Sequence, residues 1–503
     1  MFPFDLVRHD NVELFLGIVA PVGADTNLVC ESIQEALKRF DYTVEIIHVV
    51  EQLKQFTGYL ENEPNTEFEK IKGRMDAGDQ FREDLKRNDA LALLSLLEIQ
   101  RFRKNAGSLE KPIPRKAYLF RSLKRPEEVT ALRRIYASNF IAISVHSERE
   151  QRVENLAKRI AKSEYSAQSM NYRDKAEKLV MRDEADDTKP FGQKLRQAFA
   201  MSDVFLDAGN QQRLNHDLNR FLDLLFGRPV ITPTPDESGM AHAYIAAMRS
   251  SELGRQVGAA ICNPAGNLLA LGTNEVPKAH GGYYWDGDIP DGRDWALGYD
   301  SSDHYKASRL GELLKTLSDK NMLSDELAKL PVPEQMKRVQ PLLKQTRYMQ
   351  LIEFVRAVHG EMSAVTDAAA RGVSIKGCTL FVTAFPCHEC ARHIVAAGIK
   401  RVVYIEPYAK SLALELYGDS IQLDCDNDVD RVPFVPFLGV APKNHANMFG
   451  MPIRKGSDGK VLPWSPVKAN PRVSGSFWAY LNYENEDLRS LVTRLEKLGL
   501  KLN

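Results

Sequence analysis

The sequence predicts an α/β protein of two domains, and three observations lead there. Short apolar runs alternate with amphipathic helical stretches over residues 1–227, the pattern of a parallel sheet with helical crossovers. The segment Arg228-Pro-Val-Ile-Thr-Pro-Thr-Pro-Asp236 is too rich in proline to continue a helix, so it marks a linker over residues 228–239. Beyond it the order becomes helix, hairpin, helix, strand, helix, strand. A chain of 503 residues also exceeds one ordinary core.

In the first domain the apolar runs are Glu13–Val19, Thr43–Val49, Lys116–Phe120, Asn139–Val145 and Asp203–Asp207. Each is short enough for a buried strand. Leu214, Leu218, Phe221, Leu222 and Leu225 follow at helical spacing and form a core-facing stripe. The second domain covers residues 240–430. Met240–Ser251 reads as a helix, and Gln256–Cys262 and Leu268–Thr273 flank the turn Asn263-Pro-Ala-Gly-Asn267 as a hairpin. An insertion follows over residues 280–345. Its first half is rich in Gly, Asp and aromatics, and Tyr283, Tyr284, Trp285, Arg293 and Trp295 are candidates for a lid or a nucleotide contact. Its second half is charged and helical. Ser363–Arg371 is a helix with Gly372 as C-cap, Thr379–Thr383 a strand, Cys387–Ala397 a helix closed by Gly398, and Arg401–Glu406 a strand. Residues 431–503 begin Pro-rich, end in a charged helix, and read as an extension of the second domain. There is no internal repeat.

Composition excludes several classes. Lys+Arg and Asp+Glu each count 67, which removes the basic excess of a protein that holds polymeric nucleic acid by its phosphates. A local basic patch would still suffice for such binding. Six cysteines (Cys30, Cys262, Cys378, Cys387, Cys390 and Cys425) are too sparse for a disulfide framework. The N-terminal residues lack the pattern of a secretory signal, and no apolar stretch reaches the ~18 residues of a membrane span. A cytoplasmic protein is expected.

Two short motifs carry the chemistry: His359-Gly-Glu361 and Pro386-Cys387-His-Glu-Cys390. A catalytic zinc takes three N/S protein ligands and keeps a fourth position open, and His359, Cys387 and Cys390 supply that set. Glu361, two residues from the histidine, is placed to shuttle protons without ligating. Pro386, read as a first-turn residue, puts both cysteines in the first turn of a helix, where the dipole favours thiolates. A C-x-x-C pair alone also suits a redox couple or half of a structural zinc site. Neither has a use for a carboxylate at Glu361.

The His-x-Glu and Pro-Cys-x-x-Cys pattern resembles that of the zinc-dependent nucleobase deaminases. Arg249-Ser250, Gln256-Val-Gly-Ala259, Gly272-Thr-Asn274 with Pro277, and Thr383-Ala-Phe-Pro-Cys-His-Glu-Cys-Ala391 extend the resemblance to the deoxycytidylate deaminases. That family usually has alanine between the histidine and glutamate. Gly360 stands there, small enough to keep the approach to the metal open. The resemblance implies a cytidine deaminase-like αβα fold, Zn2+ as cofactor, and Glu361 as the donor of protons to N3 and then to the leaving amine. It also implies substrate contacts at Asn274, Thr383, Tyr408 and Lys410. Asn274 equally reads as a turn residue ending a strand.

Further stretches resemble the bacterial anti-phage dCTP deaminases: Gly17–Thr26, Arg121–Glu128, Arg182-Asp-Glu184 and Phe221–Gly227. This implies an N-terminal P-loop-NTPase-like parallel α/β domain and conversion of dCTP to dUTP and dCMP to dUMP, which depletes dCTP during phage infection. It implies a homo-oligomer under the control of a partner, a small RNA or a nucleotide bound by the N-terminal domain. The loop itself is degenerate. A working P-loop reads G-x-x-x-x-G-K-[ST], whereas Gly17 and Gly23 are one residue too far apart and Ala24-Asp25 stands where the lysine belongs. Three readings stay open for this domain. It is a nucleotide sensor using Gly17, Gly23, Asp25 and Thr26 with backbone N–H groups. Or it is a phosphotransfer site with a cation from elsewhere, such as Lys124. Or it is a structural domain. Arg121, Lys124, Arg125 and Arg182 are candidate phosphate contacts. Two alternatives to nucleotide deamination are a deaminase of polymeric nucleic acid and a nucleotide-sensing regulator with minor deaminase activity.

Overall fold

Leu14–Val19 is buried along its whole length, as a strand covered on both faces by helices must be. It is β1, the middle of a parallel sheet completed by β2 (Thr43–His48), β3 (Lys116–Arg121), β4 (Phe140–His146) and β5 (Val204–Asp207). The order is β2-β3-β1-β4-β5, and the short strand Gly439–Val440 pairs antiparallel with β5. The computed structural model describes residues 12–60, 64–184, 191–343, 346–407, 411–423, 430–451 and 453–500. The chain divides into one unit of residues 1–237 with 437–503 and a second of residues 238–436.

The first unit has two cores, one on each face of its sheet. On one face, helices Thr26–Lys38 and Gln211–Leu225 bury Val29, Ile33, Leu218 and Leu222 against Leu16, Ile18 and Ile143. The predicted stripe from Leu214 to Leu225 is the buried side of the latter helix. On the other face, Ala90–Leu94, Pro126–Tyr136 and the C-terminal helix Phe477–Lys497 enclose Phe15, Phe120, Leu132, Tyr480 and Leu491. This corrects the reading of residues 431–503 as an extension of the second domain. From Phe437 onward the tail belongs to the first unit, because its apolar stripe completes that unit's core.

In the second unit, β6 (Gly258–Cys262) and β7 (Leu268–Thr273) form the expected hairpin. Asn263 Oδ1 accepts from the amides of Ala265 (3.0 Å) and Asn267 (2.9 Å), and Gly266 adopts φ +83° to close the turn. Four more strands follow: β8 (Thr379–Ala384), β9 (Arg401–Glu406), β10 (Ile421–Leu423) and β11 (Val432–Pro436). The order is β7-β6-β8-β9-β11-β10, antiparallel up to β8 and parallel beyond it. Helix Gly360–Ala370 lies so close to β7 that a Cβ at Gly272 would stand 2.0 Å from the Gly360 carbonyl oxygen. That contact gives Gly272 a packing reason and sets the depth of the helix that carries Glu361. The charged half of the insertion is helical, chiefly over Ser301–Asp319 and Val332–Leu343. Among the described residues no helix is long and apolar enough to cross a membrane.

Candidate active site

His359 is the N-cap of helix Gly360–Ala370, and Cys387 is the N-cap of helix His388–Ala396. Pro386 therefore precedes the cap instead of occupying the first turn, which begins two residues later at His388. The dipole argument survives it. Cys387 Sγ accepts from the Cys390 amide at 3.5 Å, so the sulfur takes the role an oxygen plays in an ordinary N-cap. The two helix starts converge. His359 Nδ1 stands 3.2 Å from Cys387 Sγ and 3.5 Å from Cys390 Sγ. One donor atom from each of His359, Cys387 and Cys390 falls within 4.8 Å of the others, the spacing of a three-point metal site. Glu361 follows in the first turn, 4% exposed, outside that donor set.

The electrostatics belong to a site prepared for a cation. Hydrogen bonds from Cys390 and His359 hold the Cys387 thiol down at about 4, against the opposing effect of burial. The hydrogen bond to Cys387, opposed by burial, lifts His359 to about 9. Cys390 is raised well above the usual thiol range by its hydrogen bond to Cys387 and by burial. Burial, reinforced by the Cys387 charge, pushes Glu361 up to about 7. In the metal-free set the shifts favour a charged Cys387, a protonated Cys390 and a protonated His359. Metal ligation needs all three deprotonated, so loading should release about two protons per ion. Affinity should then rise with pH toward 9, as His359 loses its proton. Calorimetric zinc titrations in buffers of different ionisation enthalpy measure this directly. Cys390→Ala should abolish both zinc retention and activity, and a variant with full zinc content would refute the ligand set.

The donor set opens on a cavity of about 320 Å³ whose wall includes His359, Glu361, Cys387 and Asn274. Asn274 has a second role. Its Oδ1 accepts from the Val257 amide (2.6 Å) and its Nδ2 donates to the Arg255 carbonyl (2.8 Å). The motif residues around it act in the same way. Ser250 Oγ donates to the Asn274 carbonyl (2.7 Å), and Gln256 Nε2 donates to the Ser250 carbonyl (2.7 Å). Together they stitch the loop below the cavity. Thr383 is not on the wall. Its hydroxyl accepts from the Gly258 amide at 3.1 Å and joins β6 to β8. Tyr408 and Lys410 lie outside the described residues. A Cβ at Gly360 would meet the Val257 carbonyl oxygen at 3.1 Å, so close backbone approach, not access to the metal, accounts for that glycine. Tyr283, Tyr284, Trp285, Arg293 and Trp295 do not line the cavity. Trp285 instead stacks under the Arg249 guanidinium, 3.7 Å from ring centroid to Cζ.

Two basic wall residues escaped the sequence reading, Arg255 and Lys306. Lys306 is 8% exposed, comes from the insertion helix Ser301–Asp319, and pairs with Asp303 at 3.0 Å. No local pattern separates it from the other lysines of a charged helix.

In the first unit, Gly23 and Thr26 line a cavity at the end of β1, whereas Gly17 and Asp25 do not. Gly17 sits inside β1, where a Cβ would collide with Leu123 at 2.6 Å. Asp25 caps helix Thr26–Lys38 by accepting from the amides of Asn27 and Leu28. Asp25 thus has a capping role and Gly17 a packing role. Arg121 and Lys124 line the same cavity, and Arg125 and Arg182 do not.

Residues 233–406 match the family model of the cytidine and deoxycytidylate deaminase zinc-binding region. The deoxycytidylate deaminase of Enterobacteria phage T2 is 46% identical over 54 residues, 11% of this chain and 29% of that protein. The deoxycytidylate deaminase of Mus musculus is 26% identical over 204 residues, 41% of this chain and 78% of that protein. The chain thus spans less than a third of the length of the phage enzyme. Among solved structures, the dCMP deaminase of cyanophage S-TIM5 in complex with dCMP and dUMP is 18% identical, with a TM-score of 0.23, over 41% of this chain and 98% of that one. The sequence matches support the zinc-binding deaminase family for residues 233–406, and the cofactor is zinc, which the His/Cys/Cys donor set fits.

Proposed function

We propose that the second unit hydrolyses the exocyclic amine of free deoxycytidine nucleotides, converting dCTP to dUTP and dCMP to dUMP with release of ammonia. The observation that carries this reading is the convergence of His359, Cys387 and Cys390 beside a cavity whose wall includes His359, Cys387 and the buried Glu361. Zinc, when bound, supplies Lewis acidity next to C4 of the base. Glu361 carries one proton of the attacking water to N3, then takes the second from the hydroxyl left on C4 and delivers it to the departing amine. Burial raises its carboxyl pKa and the zinc charge lowers it again, which suits a group that must both take and return a proton.

The cavity of about 320 Å³ suits a single nucleotide. Lys306 and Arg255 are the cations placed to meet its phosphates. Lys306→Ala should raise KM for dCMP by ~10-fold, the scale of one charged hydrogen bond, while leaving kcat/KM for deoxycytidine nearly unchanged. Equal losses on both substrates would remove Lys306 from phosphate recognition.

The wider reading follows the resemblance of the first unit's sequence to the anti-phage dCTP deaminases. In it, a homo-oligomer depletes dCTP during phage infection, with a P-loop-like regulatory unit answering to a nucleotide or a small RNA. The parallel order β2-β3-β1-β4-β5, with a loop and helix directly after the central strand, supports that unit's assignment. The test is chromatography of the purified protein with dCTP, dCMP, dCDP, CTP, deoxycytidine and a single-stranded DNA oligonucleotide, alongside Glu361→Ala. Uracil products from dCTP or dCMP, absent in the variant, support the reading. Conversion of the oligonucleotide alone overturns it.

A further inference from the structure

Among the described residues, the core of the second unit draws no side chain from the insertion over residues 280–345. The long inserted helix, Ser301–Asp319, packs instead on Val332–Leu343, which is inserted too. Yet the first turns of that helix bring Ser302, Asp303 and Lys306 to the wall of the cavity beside the metal donors. Apolar packing on the sheet does not set where Lys306 stands, so polar ties are left to do it.

Asp294, a buried residue of the segment before the helix, makes the strongest of these ties. Its Oδ2 accepts from the Ser301 amide (2.8 Å) and its Oδ1 from the Ser301 hydroxyl (3.0 Å). The Ser301 amide is among the first helical N–H groups, which have no partner inside the helix, and a carboxylate there also meets the positive end of the dipole. The same Oδ1 accepts from Arg356 Nη1 at 2.9 Å. Arg356 lies between the wall residues Val355 and Ala357, in the segment that runs into His359. One carboxylate thus joins the start of the Lys306 helix to the approach to the metal site. Arg293 in turn steadies Asp294: its Nη2 donates to Asp291 (2.6 Å) and to the Trp285 carbonyl (3.2 Å). The remaining ties at the junction are long. Tyr348 Oη donates to the Lys306 carbonyl at 3.3 Å, and Lys306 Nζ to the Met349 carbonyl at 3.5 Å.

We propose that Asp294 is a positioning residue for the substrate phosphate: by clasping Ser301 and Arg356 it holds Lys306 at the cavity. Asp294 itself is not on the cavity wall. A lysine is a point charge on a flexible stem, so what it contributes to a phosphate depends on where its helix is held. The inference rests on the reading of Lys306 as a phosphate contact. It gives the segment from Trp285 to Asp294 a mechanical role in place of direct contact with the nucleotide.

The test is equilibrium dialysis of the zinc-loaded full chain against radiolabelled dUMP, which has no amine to lose, so binding is read apart from turnover. Lys306→Ala should weaken binding ~10-fold. Asp294→Asn sets an amide donor against donors, and Arg356→Met cuts the clasp at its more exposed end, where the side chain is 38% exposed. Each should weaken dUMP binding toward the same ~10-fold limit, and neither should weaken it further in a Lys306→Ala background. Zinc content and thermal unfolding, read on every variant, separate lost positioning from lost fold. Undiminished binding in both clasp variants overturns the proposal, and so do losses that multiply with Lys306→Ala to ~100-fold, the mark of independent effects. Undiminished binding in Lys306→Ala overturns it together with the phosphate role of that lysine. A wild-type chain that binds dUMP but leaves dCMP intact would sink the deamination reading alone, and the variants would still decide the role of Asp294.

Discussion

Glu361→Gln is expected to keep zinc bound while turnover falls by ~10²-fold or more, the contribution of a positioned acid/base group. Zinc should stay because the three donors come from His359, Cys387 and Cys390, and the Glu361 carboxylate is not among them. Glutamine preserves the shape of the side chain in a position only 4% exposed, so the helix start and its ligand are undisturbed. What it removes is the ability to take a proton and return it. The pH profile should report the same group. Burial and the Cys387 charge push Glu361 up to about 7 in the metal-free chain, and the positive charge of bound zinc favours the carboxylate and lowers that value. The first step needs the ionised form. Activity should therefore be lost as pH falls through an acid limb below 7, and the limb should vanish from the residual activity of the glutamine variant. Zinc analysis with steady-state kinetics checks both points, and near-normal turnover would remove Glu361 from the mechanism.

The metal-site candidates were legible because three donor residues and one carboxylate at fixed spacing satisfy one metal chemistry. No tertiary knowledge is needed to see that His359, Cys387 and Cys390 offer three N/S donors, or that Glu361 lies two residues from the histidine. The strands were legible for a related reason: runs such as Leu14–Val19 are buried on both faces and therefore apolar throughout. The residues around the chemistry were harder. Asn274 and Thr383 stand in motifs that suggest substrate contact, yet both bond to backbone amides, a role that sequence expresses in the same way. Lys306 reaches the cavity from an inserted helix, and nothing local marks a lysine that arrives from 53 residues before His359. The tail failed for a different reason. An amphipathic helix shows which of its faces is buried, but not which core buries it.

That tail is also the source of the second large effect. Arg103→Ala should destabilise the first unit by ~3–5 kcal/mol, the usual result of breaking a buried charge network by removing one partner. Arg103 is fully buried between two fully buried carboxylates, with Nη2 at 2.8 Å from Glu13 Oε2 and Nη1 at 2.6 Å from Glu484 Oε2. Tyr480 and Tyr118 donate to Glu13 at 2.9 and 3.3 Å, so every member is hydrogen-bonded. Glu13 directly precedes β1, whereas Glu484 and Tyr480 come from helix Phe477–Lys497. The cluster thus fastens the end of the chain onto the central strand's side of the core. Without Arg103, two carboxylates share a site that burial already makes hostile to charge, as the upward shift of Glu484 records. Loss of that size is a large part of the ~5–15 kcal/mol that holds a domain together. The partner test separates the charge from the packing. Arg103→Met combined with Glu13→Gln and Glu484→Gln removes the charges while keeping volume, and should recover much of the loss. Thermal unfolding followed in both variants, with zinc content as the reporter of the second unit, checks the claim. Arg103→Ala should lower the first unit's transition while zinc stays bound. An unchanged transition would mean that the helix is held by Leu488, Leu491 and Leu495 alone.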